Sequence, residues 1–493
     1  MIALAVNNTM LDVGAGLRIS MQEAFAFDEF LSIPGEHSWR FSLPKTPGNR
    51  RAFGFADVPE VVWDPATSYG CSIYVDGRVF KSGRLYIEGD TDLAFEVYFV
   101  GTVGALKEKI KGAKINEMAA WPELSGISNM FDYADAEVSN ATALLTFAEV
   151  SMPNGDFPMT FINVTDSQRT VTGNWEGFDR TGINPMCPFV FVRTFWSVLK
   201  NEYDLKIDSD FLDDAEIDSL IFFNLRPLNL VNASGEYTQT FPAGIKLKEH
   251  VPDMAVEEFL TSFSKLFNLL VLFDAPTNTL RIVPRSSLFN LPRVVLNERV
   301  ERYQTVFEQY KTYSLRYVFD EEELSATPDW AGTLEGINGT ADSEVVESQI
   351  ATLPMWDRDN DGEWHIPVTI NRLGDNPGVR LLFYRGLQNT YTLNPAWGPM
   401  PLATSDNRYT TGFNYALTWK DAAGLYAQWW QPWLDVTLRG RTLRVWMWLT
   451  SAELAEFNPL SVWVIDGWRC FVKKLSYEIS ENRTLVEAEV LKI

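Results

Sequence analysis

The chain has 493 residues, with 42 Lys and Arg against 65 Asp and Glu, a formal charge of −23. Gripping phosphates needs clustered cations, so this balance argues against a protein that holds nucleic acid, though not against a surface past which nucleic acid slides. The apolar share of 46% supports a sizeable core, and the length suits about three domains.

Aromatic residues make up 13% of the chain and include 17 tryptophans. That is more than small cores hold, so part of the set is expected at subunit interfaces. Cys71, Cys187 and Cys470 are too scattered for a disulfide framework or a metal knuckle, and read as buried thiols of a reducing compartment. The opening "MIALAVNNTML" lacks the basic flank and apolar run of a signal peptide, so synthesis in a cytoplasm is expected. No apolar run of about 18 residues is present to span a membrane.

Residues 1–115 read as strand-rich. "HSWRFSLPKTPGNRRAFGF" ends a strand at Pro44 and passes into a Pro-Gly-Asn turn. "CSIYVDGRVFKSGRLYIEG" is a hairpin around Asp76-Gly77, a pair that tolerates the positive φ angles of a type I′ turn. "LAFEVYFVG" places Phe95, Val97 and Phe99 on one face. "GALKEKIKGA" reads as a short helix with a solvated basic face. Residues 116–188 have weak periodicity and are read as an irregular mixed connection.

Residues 189–295 read as a compact α+β module. Val192, Phe195, Trp196 and Leu199 form one helical stripe. Val256, Phe259, Leu260, Phe263 and Phe267 form another, with Asp253 as the expected N-cap and Asn268 as the left-handed stop. The hairpin "LLVLFDAPTNTLRIVP" follows.

Residues 296–493 begin with the strand "YKTYSLRYVF" and the acidic segment 320–365, read as a long exposed excursion. Strand resumes at "GVRLLFYRG", and "GLYAQWWQPWLDVTL" reads as helical up to Pro432. In "TLRVWMWLT", Leu443, Val445, Met447 and Leu449 share one face and Arg444, Trp446 and Trp448 the other. Tryptophans on the second face imply a second cover, taken as another subunit: Trp446 and Trp448 are the expected interface residues. Thr450 and Glu453 form a capping box. A second hairpin, "VWVIDGWRCFVKKLSYEI", turns at Asp466-Gly467.

The chemistry is sparse. His37, His250 and His365 show no metal-ligand spacing, and no hydrolase elbow, phosphate loop or dinucleotide fingerprint occurs. No catalytic residues are assigned. "DRDNDGEWHIPV" places Asp357, Asp359 and Asp361 at alternate positions, with the Glu363 carbonyl next, like the first half of a calcium loop. The acid expected twelve residues into the loop is replaced by Val368, and Pro354 and Pro367 bracket the stretch. A Ca2+ loop and a solvated acidic turn are both open. No other cofactor is expected.

The order of these patches along the chain resembles phage tail hub proteins, the baseplate hub family. The pattern "YVDGRVFKSGRLYI" is similar to the first barrel of such hubs. "INPMCPFVFVRTFWSVLKNEYDLKI", the 251–284 module and the ending from "GLYAQWW" resemble tail proteins of phages of Bacteroidetes-type hosts. The resemblance implies an α+β, predominantly β fold: a tube-like barrel over 1–115, an inserted α+β module, and a second barrel within 296–493. The two Asp-Gly hairpins would then mark a duplicated barrel.

It also implies a non-enzymatic virion protein in the tail: a homotrimer that presents a pseudo-sixfold face to the tail tube protein. Further implied partners are distal tail or baseplate proteins, a tape measure or central spike or fibre, and DNA passing through the lumen without specific binding. An acidic lumen is the associated expectation. A receptor- or carbohydrate-binding tail component and a tail-associated hydrolase are the alternatives.

Overall fold

A computed structural model of the protein describes residues 2–14, 16–24, 35–62, 64, 67–101, 109–152, 160–165, 175, 177–181, 183–274, 277–306, 312–318, 333–337, 343–357, 365–388, 399–407, 412–458, 461–479 and 483–493. The fold is α+β and predominantly β. Two compact units form, neither continuous in sequence. Unit 1 is Met1–Ile110, Leu270–Tyr310 and Pro432–Ile493; unit 2 is Lys111–Leu269 and Lys311–Gln431.

Unit 1 is built on a 14-stranded sheet. Its strands are β1 (Ile2–Val6), β2 (Thr9–Met10), β3 (Ser20–Ala24), β4 (Gly35–Ser38), β5 (Phe41–Pro44), β6 (Ser68–Val75), β7 (Arg78–Asp90), β8 (Ala94–Gly101), β9 (Arg293–Val295), β10 (Val300–Thr305), β11 (Arg441–Thr450), β12 (Val462–Ile465), β13 (Trp468–Glu478) and β14 (Arg483–Lys492). The order runs β2-β1-β6-β7-β8-β4-β3-β13-β14-β11-β10, with β5 on β8, β12 on β13 and β9 on β12. The N-terminal and C-terminal segments therefore share one sheet. They join where β3 lies antiparallel to β13, from Ser20 opposite Glu478 to Ala24 opposite Lys474.

Within this sheet one motif occurs twice. In the first copy, β5 leads into helix α1 (Pro47–Ala52), then β6, the Asp76-Gly77 turn, β7 and β8. In the second, β11 leads into helix α2 (Ser451–Ala455), then β12, the Asp466-Gly467 turn, β13 and β14. The pairings match as well: the leading strand lies on the last, the last on the third and the third on the second, all antiparallel. Both turns hold positive φ at both central residues, 51° and 78° at Asp76 and Gly77, 50° and 80° at Asp466 and Gly467. That is the twist a two-residue hairpin needs.

The helix starts match in the same way. Thr46 Oγ1 accepts from the Asn49 backbone N–H, and Thr450 Oγ1 from that of Glu453, each at 3.2 Å. Core positions correspond too: Leu43 with Met447, Ile73 with Trp463, Val75 with Ile465 and Leu85 with Leu475 are all buried.

Residues 47–49 do not form the expected turn. Thr46 caps a helix whose first position is Pro47, where the missing N–H costs nothing and the fixed φ favours the helix.

Unit 2 contains small sheets of two to four strands around two helices, Val192–Tyr203 and Val256–Leu266. The predicted stripes meet in an aromatic cluster. Phe195 and Phe259 lie 4.7 Å apart by ring centroid, Trp196 and Phe263 5.5 Å, and Phe222 packs on Phe259 at 5.6 Å. Asn268 takes the expected left-handed φ, 49°. Asp253 is not the N-cap; that position is Ala255, with no side-chain cap, and Asp253 pairs with Lys114 at 2.9 Å.

The helix expected to stop at Pro432 continues through it. A π turn at Tyr426–Trp430 precedes α-helix Gln431–Thr437, which places the proline in the first α turn and removes the need for its N–H. Within the acidic segment, Thr333–Ile337 and Ser343–Ser348 flank Thr312–Tyr317 in a three-stranded sheet, and Ile350–Thr352 pairs with Val379–Gln388.

Candidate assembly interface

The three thiols and His250 are buried. Cys71, Cys187 and Cys470 are free and buried. Burial pushes the Cys71 thiol up to about 12 and that of Cys187 higher still. Burial also raises Cys470 to about 12, although Lys492 pulls it the other way. A thiol held this high is not a nucleophile near neutral pH. His250 is pushed down to about 4 by burial and then by the Arg226 charge, so it stays neutral. Among the described residues no group of three or more His, Cys, Asp or Glu is placed to hold a metal ion. Asp359, Asp361 and Glu363 of the calcium-like stretch lie outside the described residues, and Asp357 is described only as the last residue of strand Met355–Asp357.

The surface with the most architecture behind it is the large sheet of unit 1. One face is core: Leu443, Val445, Met447 and Leu449 of β11 are buried, as are Phe95, Val97 and Phe99 of β8. These alternations are as predicted. Among the described residues the other face is only partly covered. Trp448 is 42% exposed and sits across from Leu485 of β14, itself 38% exposed. Trp446 is covered by the Arg302 guanidinium from β10, 4.2 Å above the ring. In the first copy, Tyr86 and Tyr98 stack at 5.2 Å.

Exposed charge on and beside the sheet comes in pairs: Arg40 with Glu88 at 2.7 Å, Arg444 with Glu487 at 3.1 Å, and Arg18 with Glu478 at 3.7 Å. Exposed pairs of this kind add little stability, but each cancels its own charge. The acid excess is elsewhere. Unit 1 holds 23 Lys and Arg against 26 Asp and Glu, net −3, while unit 2 holds 19 against 39, net −20.

Where the two copies of the motif meet, the core carries charge. Glu23 of β3, 1% exposed, lies 3.0 Å from Lys81 Nζ of β7 and accepts a short hydrogen bond from the Tyr477 hydroxyl of β13. Phe80 packs edge-on to Tyr477 at 6.3 Å. At the far end of the sheet, β10 pairs only with β11 among the described strands, and its residues are mostly exposed. Pattern reading could not find the Glu23–Lys81–Tyr477 group, because its members come from three separated segments.

No protein-family model and no curated protein matches the chain. Among solved structures, similarity extends over 99% of this chain and 95% of the 43 kDa tail protein of prophage MuSo2 from Shewanella oneidensis, at 9% identity and a TM-score of 0.36. It extends equally far over the tail protein from Neisseria meningitidis MC58, at 8% identity and a TM-score of 0.31.

Proposed function

We propose that the chain is a structural component of a phage tail, and specifically a hub whose copies close into a homotrimeric ring against a sixfold tail tube. The observation that carries this reading is the repeated strand–helix–hairpin–strand motif in one continuous sheet, together with the resemblance of its hairpins to tail hub barrels. Three chains with two copies each present six similar motifs. Among the described residues the sheet's terminal strand β10 is paired along one edge only, and an open edge invites strand pairing unless something covers it. A head-to-tail contact that joins the β10 end of one chain to the β1–β2 end of the next closes after three copies.

In such a ring the open sheet face lines the channel. Its unit has a net charge of only −3. The lumen is therefore expected to be charge-balanced rather than acidic, and DNA would pass a wall that offers few uncompensated cations. Trp446 and Trp448 then belong to the channel wall or its subunit contacts.

The test is the copy number and symmetry of this chain in an imaged tail particle. Three copies in a closed ring, each supplying both motifs, is the expected result. Six copies in the ring, or a site away from the tube end, overturns the hub. Replacing Trp446 and Trp448 together by Ser should weaken ring formation while leaving the melting of the single chain near its parent value, read by native mass spectrometry and by calorimetry.

A further inference from the structure

The two copies of the motif differ in the linker that follows the helix. The linker from α2 to β12 is short, residues 456–461. Its Phe457 ring turns inward against Trp463 at 5.5 Å. The equivalent linker in the first copy, residues 53–67 between α1 and β6, is more than twice as long. Phe53 at its start is buried, but three of its described apolar residues turn outward: Phe55 is 45% exposed, Val61 38% and Val62 fully. Leu93, 83% exposed, stands at the β7–β8 turn at the same end of the sheet.

This surface is braced. The Asp57 carboxylate, 3% exposed, lies 3.0 Å from Arg50 and 3.6 Å from Lys45. Lys45 in turn reaches Asp90, and its backbone N–H donates to the Leu93 carbonyl at 2.9 Å. The Tyr69 hydroxyl donates to the Phe53 carbonyl at 3.0 Å. Phe55 is held at a φ of 60°, a conformation that costs a bulky residue free energy and persists only where the surroundings impose it. Exposed apolar side chains held on one braced linker and the turn beside it make a contact surface, unlike single exposed residues scattered over a protein.

Its rim is acidic. Glu60, Asp64 and Asp92 are exposed and adjoin Val61, Val62 and Leu93 in the chain, and the exposed bases at this end are Arg51 and Arg84, the latter bonded to Ser68. The cluster also lies at the strand ends rather than along a strand edge, so a second copy that extends the sheet does not cover it.

We propose that this end of the first motif is a docking surface for a different protein, one that offers an apolar recess rimmed by Lys or Arg. The inference rests on the tail-component reading, and adds to it a partner surface present once per chain although the motif occurs twice. In a trimeric ring it would occur three times, which suits a threefold neighbour rather than a sixfold one.

The experiment compares hydroxyl-radical labelling of purified tail particles with that of the free chain, followed by carbodiimide cross-linking of the particles. The expected result is several-fold lower labelling of Phe55 and Leu93 in the particle. Cross-links from Glu60, Asp64 or Asp92 should run to lysines of another protein. Val62→Asp and Leu93→Asp should abolish those cross-links while the free variants melt as the parent does. Equal labelling in both states, or cross-links only between copies of this chain, overturns the docking surface while the tail reading stands. Absence of the chain from the particles overturns that reading and this inference with it.

Discussion

The two units solve the same burial problem by opposite means. Unit 1 hides its apolar residues under one sheet that gathers three distant stretches of chain, and its charge is nearly balanced. Unit 2 packs rings between two amphipathic helices and small sheets, and carries most of the net negative charge. A continuous sheet must pair side chains across strands, where like charges repel, and its open face shows matched cations and anions. A helix-centred core places its surface on solvated loops and helix flanks, where acidic residues are tolerated one by one. The contrast shows that the −23 is not a property of the whole molecule.

Four changes would break or sharpen this contrast. The largest effects belong to the cores. Phe95→Ala in unit 1 and Phe259→Ala in unit 2, both fully buried, should each cost about 3–5 kcal/mol. If the units are energetically distinct, calorimetry should show each substitution lowering a different transition; one transition that shifts alike for both would merge them.

Next is the charged junction of the motif copies. Lys81→Met removes the ammonium that lies 3.0 Å from the buried Glu23 carboxylate, and should cost about 3 kcal/mol. Adding Glu23→Leu should recover most of that loss, and denaturant midpoints for the single and double variants decide it.

The third concerns pH and unit 2. His250 is held down to about 4 when folded, against an ordinary value near 6.5. Its folded state therefore binds the proton more weakly than the unfolded chain does. The stability this group supports is complete above pH ~6.5 and is lost progressively as pH falls towards ~4, up to about 3 kcal/mol. The unit 2 transition should fall over that window, and His250→Gln should flatten the slope. An unchanged slope would mean other groups set it.

The smallest effect tests the repeat. Thr46→Ala and Thr450→Ala each remove a cap built the same way, and each should cost about 1 kcal/mol in unit 1. A large difference between them would show that the two helix starts, alike in geometry, differ in what depends on them.

What the sequence revealed was local. Asp-Gly announces a turn because few other pairs accept two positive φ angles, and both hairpins stand where they were read. The 256–266 stripe and the β11 alternation were visible because burial repeats with the period of the element. Local signals also misled where two rules competed. Pro47-Gly48 reads as a turn unless Thr46 is weighed as a cap. Pro432 reads as a stop unless a π turn is allowed before it. Asp253 suits an N-cap by type, but Lys114 holds it. The long-range facts had no local trace. Nothing near Trp446 points to Arg302, and nothing in either terminal segment says that β3 will lie against β13. The calcium-like stretch remains a sequence reading, since three of its four residues lie outside those described.

The junction of β3 and β13 has a consequence in time. Glu23 and Tyr477 stand 454 residues apart. At translation rates of roughly 5–20 residues per second, the partner of β3 emerges about 20–90 s after β3 itself. For that interval the first copy of the motif has an unpaired strand edge and an unneutralised place for β13 in its core, while all of unit 2 is synthesised and free to fold. Completion of the sheet is then a late, long-range step, slower than any helix or hairpin it joins.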